Sequence, residues 1–127
     1  MQVRLASLAV ALASLAAAPA HAAGTVALQF VEPDRFADIG FGATDRQHNL
    51  DVLRRHFVAL AARLPDGARL TIDVLEVDLA GTVQPWRRHP DVRVLRGQAD
   101  WPRMTLRWTL EAGGQVLRHG EDRLADL

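Results

Sequence analysis

The chain has 127 residues, and its 15 basic side chains balance its 15 acidic ones; that length fits a single domain. Every basic residue is arginine, lysine, cysteine and tyrosine are absent, and both serines, Ser7 and Ser14, stand near the N-terminus. These absences exclude lysine Schiff-base and lysine-dependent P-loop chemistry, disulfides and thiolate metal sites, and they leave no serine or cysteine nucleophile in a chain trimmed at its N-terminus.

Met1 to Arg4 is a short segment with one positive charge, and Leu5 to Ala18 is a run of 14 residues that is apolar apart from the two serines. Pro19 breaks the run, and Ala20-His21-Ala22 sets small residues at the two key positions before Ala23. A membrane-spanning helix needs about 20 apolar residues, so the pattern reads as a secretory signal peptide over residues 1–22. The expected product is soluble, periplasmic or secreted, with no transmembrane segment after cleavage and one domain over residues 23–127. Cleavage takes Arg4 and leaves 14 Arg against 15 acids, a net charge of −1. Binders of nucleic acid or anionic membranes carry a basic excess, so no nucleic-acid partner is expected.

Thr25 to Val31 alternates, with Val26, Leu28 and Phe30 on one side, and period two reads as a half-buried strand. Pro33 ends it. Arg35 to Ala43 reads as a loop whose aromatics, Phe36 and Phe41, are expected to fold back into the core. Thr44-Asp45-Arg46-Gln47 has the form of a capping box, with Thr44 as N-cap. Leu50, Leu53, Phe57, Leu60, Ala61 and Leu64 follow at steps of three or four, the buried stripe of a long amphipathic helix, while Arg54, Arg55 and Arg63 fall off it and should be solvated. Pro65-Asp66-Gly67 stops the helix. Arg69 to Val77 is the next strand; its apolar pattern changes phase at Leu75, which implies a bulge or burial on both faces. Asp78 to Pro90 reads as a loop, Val92 to Leu95 as a short strand, and Arg103 to Glu111 with Gln115 to His119 as a hairpin closed by Gly113-Gly114. The order β-α-β-β-β-β implies an α+β fold: a mainly antiparallel sheet of about five strands with one helix on one face.

Three constellations bear on chemistry. His48 and His56 lie eight apart on the helix, away from the i,i+4 spacing of a zinc helix, and His89 and His119 stand alone, so no metal and no cofactor is expected. Glu76 and Asp78 share a strand face, and paired carboxylates can do general acid–base work, but such a pair is more often a strand exit. Pro85-Trp86-Arg87-Arg88-His89-Pro90 sets an indole beside two guanidiniums, a combination that stacks and binds anions bidentately. The same segment is also read as a plug, with Trp86 filling a groove and the arginines paired to acids; Trp101-Pro102 offers a second indole nearby.

The pattern Val31-x-Pro33-x-x-Phe36-x-Asp38-Ile39-Gly40, then Leu64-Pro65-x-Gly67 before a strand, the run Val77 to Gly81 with Pro85 to Arg88 and Asp91 to Val94, and Trp101-Pro102-Arg103 together resemble DUF3016, a bacterial family of unknown function. The resemblance covers the whole chain after the leader and implies small exported proteins with no assigned activity, so it supplies no catalytic residues. It also implies a further C-terminal stretch beyond a Leu-x-Asp segment like Leu124-Ala125-Asp126, and a surface on which that stretch docks.

The residues favour a non-enzymatic binding or accessory module of the cell envelope, meeting an envelope protein or anionic ligand through Asp78, Trp86, Arg87 and Arg88. The alternative is a metal- or carboxylate-dependent hydrolase using Asp38, Glu76, Asp78 and a histidine; gathering of Asp38, Asp78 and Arg87 in one pocket would favour it. The leader generates the first prediction: the intact mass of the exported protein should begin at Ala23, and a mass retaining Met1 would refute cleavage.

Overall fold

The structure, a computed structural model, describes residues 22–88, 92–97 and 100–125; the expected leader lies outside the described residues, apart from Ala22. The elements are β1 (Thr25–Phe30), a 3-10 turn (Pro33–Arg35), α1 (Gly42–Ala59) running into a second 3-10 turn (Leu60–Arg63), β2 (Ala68–Asp78), β3 (Thr82–Val83), β4 (Arg93–Val94), β5 (Arg103–Ala112) and β6 (Gln115–Ala125). The fold is α+β. Among the described residues there are six strands where about five were expected, because β3 lies inside the segment read as a loop; two residues are too few to show a period. No helix among the described residues is long and apolar enough to cross a membrane.

Four strands form one sheet in the order β1-β2-β5-β6, and β3 pairs with β4 in a small second sheet. β1 runs parallel to β2, with α1 as the crossover, and the β2–β5 and β5–β6 ladders are antiparallel. The phase change at Leu75 is a bulge: Val74 stands opposite Leu106 and Glu76 opposite Thr105, which leaves Leu75 unpaired. Ile72, Val74, Val77 and Leu106 line the sheet's inner face and pack with Phe36, Ile39 and Phe57, while Leu50, Leu53 and Leu60 of the helical stripe close over them. The opposite face carries Asp73 and Arg107, joined at 2.9 Å, so alternation along the strands separates core from solvent.

Three local expectations change. The helix begins at Gly42, not after Thr44; its N-cap is Phe41, and Asp45 accepts a hydrogen bond from the Phe41 N–H at 2.8 Å. Thr44 therefore sits inside the first turn, and an acid one turn in satisfies a backbone N–H there, which also suits the helix dipole. Phe36 is buried as expected, but Phe41 is 62% exposed, because the cap turns it away from the sheet. Arg54, though exposed, is not merely solvated: its guanidinium lies 5.2 Å from the Phe30 ring centroid and Nη1 donates to Leu28 O at 3.3 Å.

Removing Phe57, the buried centre of the stripe, should therefore dominate helix docking. Phe57→Ala is expected to cost roughly 3–5 kcal/mol in a denaturant titration, Arg54→Ala about 1 kcal/mol through the lost ring contact, and Arg55→Ala under about 0.5 kcal/mol. Equal losses would mean that the stripe is not the docking face.

Candidate functional site

The end of β2 is built from three separated stretches of sequence. β1 pairs with β2 as far as Phe30, and Val31 N–H still donates to Val74 O at 2.9 Å. The chain then leaves through the 3-10 turn and returns at Asp38, which bridges Asp78 in parallel: Asp38 N–H donates to Val77 O at 3.1 Å and Leu79 N–H to Asp38 O at 3.0 Å. Glu76 fills the gap with its side chain, Oε1 accepting from Ala37 N–H at 2.6 Å and from Val77 N–H at 3.0 Å. A carboxylate accepting two backbone donors makes charge-assisted bonds, stronger than neutral ones.

Arg93 of β4 locks this corner. Its Nε donates to Ala80 O at 2.8 Å, and its Nη2 to Gly81 O at 3.0 Å and to the Asp38 carboxylate. Gly81 has φ of 69°, and a Cβ there would lie 2.7 Å from Val94 O, so the close approach of β3 to β4 requires glycine. The sequence reading missed Arg93 as an anchor. The signal available was only its place in the Asp91–Val94 stretch that carried the resemblance, and pairing across 55 positions leaves no local pattern.

Of the four residues expected to form a partner surface, the structure keeps three together. Trp86 is 77% exposed, so its indole does not fill a groove as the plug reading had it, and Arg87 and Arg88 are exposed beside it. Gln84 is buried beneath the turn, and its carbonyl accepts from Arg87 N–H at 3.0 Å. Arg87 and Arg88, with Val92 and Val94, line a shallow groove of about 300 Å³. Among the described residues neither guanidinium has an acidic partner; His89 to Asp91 lie outside them. Asp78 does not line that groove; it pairs with Arg103 at 3.4 Å. Nor does Trp101, which is 42% exposed elsewhere, while Pro102 lines a cleft of about 590 Å³ beside α1 with His56, Phe57, Asp78 and Met104.

The carboxylates of the hydrolase alternative are close in the fold but occupied. Glu76 and Asp78 do line one groove of about 370 Å³ on the strand face, with Arg103 and Arg123. Glu76 holds backbone, Asp78 holds Arg103, and Asp38 holds Arg93. Neither of these two grooves lined by Asp78 contains Asp38 or Arg87. His48, His56 and His119 are exposed, and among the described residues no three His, Cys, Asp or Glu side chains converge as a metal set.

A family model described as a protein of unknown function, DUF3016, matches residues 24–127. Comparison with curated proteins and with solved structures finds no significant match. Two of the stretches behind the resemblance, Val31 to Gly40 and Val77 to Val94, meet at the Arg93 corner through Asp38, Ala80 and Gly81, which makes that corner a determinant of stability. Arg93→Ala is expected to cost roughly 1–3 kcal/mol in urea titration, since it strands a half-buried carboxylate and two carbonyls; a loss below about 0.5 kcal/mol would show that the corner holds without it.

Proposed function

The chain belongs to the DUF3016 family, and we propose from its own residues that it is a non-enzymatic binding or accessory module of the cell envelope, exported after loss of residues 1–22. Its surface is the Trp86-Arg87-Arg88 turn, and its partner presents an anionic group, carried by an envelope protein or a free ligand. The observation that carries this reading is the 77% exposure of Trp86 on a turn whose base is fastened by buried Gln84. An indole left in water on a fastened turn gains burial when a partner covers it, and little order is lost on docking. The neighbouring guanidiniums suit a carboxylate, phosphate or sulfate by their planar fork of donors. The occupied carboxylates at Asp38, Glu76 and Asp78 weigh against acid–base catalysis there, so no catalytic residue is assigned.

The test is a thermal-shift screen of the chain from Ala23 against phosphate, sulfate and soluble peptidoglycan fragments, followed by crosslinking in cells. A ligand of the folded state raises the melting temperature. The double change Arg87→Ala with Arg88→Ala is expected to abolish that shift and the crosslink while leaving the unliganded melting temperature nearly unchanged. A double mutant that keeps both would remove the turn from consideration. One that loses several kcal/mol of stability would place the arginines in the fold rather than the partner surface.

A further inference from the structure

β6 is an 11-residue edge strand of the main sheet, and no other described strand pairs with its outer side. An unpaired edge of that length is a template for another strand. Its charges are arranged with a symmetry that selects the partner. Arg118 and His119 precede Gly120, and Glu121 and Asp122 follow it.

We propose that β6 pairs antiparallel with β6 of a second copy about a two-fold axis at Gly120. Directly opposite residues share a face in such a ladder. Arg118 then stands against Asp122 of the second copy and His119 against Glu121, each contact occurring twice by symmetry. The strand is regular where this happens: from Arg118 to Ala125 it keeps an unbroken register with β5, and the irregularity lies beyond, between Leu110 and Glu111 of β5.

Shifting the axis by one residue on either side weakens the match. An axis at His119 brings the two histidines together and sets Val116 against Asp122, while an axis at Glu121 opposes two glutamates and sets His119 against Arg123. Like charges directly opposite are unfavourable. A side chain at Gly120 would also crowd the Trp108 ring, since its Cβ would lie 3.2 Å from Cζ2. Trp108 Nε1 also donates to Asp122 Oδ2 at 2.7 Å, which fixes that carboxylate on the face it shares with Arg118. β1, the other edge, carries no charged residue and so selects no register.

The experiment uses the chain from Ala23. Sedimentation velocity over a concentration series should show a reversible monomer–dimer equilibrium. Arg118→Glu should weaken it by at least about tenfold, since it sets two acid–acid contacts in place of two ion pairs. Because the chain has no cysteine, the register can be read separately. His119→Cys and Glu121→Cys variants, mixed and mildly oxidised, should crosslink much faster than either variant alone, because only unlike positions face each other. These two positions are exposed and do not test the fold. A monomer at all concentrations, a dimer indifferent to Arg118→Glu, or like positions crosslinking as readily as unlike ones would overturn the proposal. A stable dimer in which β6 stays uncrosslinked would assign the contact to another surface, such as the cleft beside α1, and would overturn it equally.

Discussion

The half-buried ion pair between Arg93 and Asp38 is the constraint on which this corner of the molecule depends. Between Asp78 and Arg103 the described chain contributes only two strands of two residues each, too little ladder to hold a long connection in place. Arg93 compensates by reaching two carbonyls and one carboxylate at once. A guanidinium can do this because its donors point in fixed, divergent directions in one plane; an ammonium could not hold the same three acceptors with the same geometry. Asp38 is in turn fixed by backbone bonds on both sides, to Val77 and Leu79. The connection bearing Trp86 is therefore referred back to the central strand of the sheet.

The bulge at Leu75 creates the same corner from the other direction. It shifts β2 by one residue, so that Val77 continues the buried face begun by Ile72 and Val74, while Glu76 and Asp78 move to the polar side. Without that shift the alternation would carry Glu76 into the core, where an unpaired carboxylate is costly. The displaced Glu76 side chain then accepts the Ala37 and Val77 N–H groups at the break in the ladder. One inserted residue thus reconciles a hydrophobic run with a polar face and supplies an acceptor where the ladder is interrupted.

What was legible in the sequence follows from range. The helical stripe, the bulge and the hairpin each write a period into neighbouring residues and stand in the structure, but the return strand, read as Gln115 to His119, runs on to Ala125, where charged residues hide the alternation. Burial of Phe36 was legible from its loop position, yet Phe41 in the same loop is exposed, since the difference lies in a cap geometry five residues on. The helix start was misread because Thr44 to Gln47 has the letters of a capping box while Asp45 bonds to Phe41 one turn earlier. The Trp86 turn stands out by composition, but Arg93, which fastens the same connection, acts through a contact 55 positions away that no local pattern marks. Asp78 looked like part of that surface because it is near in sequence; its pairing with Arg103 draws it to the neighbouring strand instead.

Two surfaces remain, and the sheet order keeps them apart. Asp38 lies along β2 on the side of β1, so the Arg93 corner, and the turn it steadies, belong to one half of the sheet. β6 is two strands away from β2 in the other direction, a separation of about 10 Å at ordinary strand spacing. Two copies joined at β6 would carry their Arg93 corners on opposite halves of a continuous sheet, linked by backbone ladders rather than by a flexible linker. Geometry then decides what such a pair can hold. Two sites at a rigid spacing gain from each other only on a partner that repeats its anionic groups at that spacing, and lose the gain entirely where it does not.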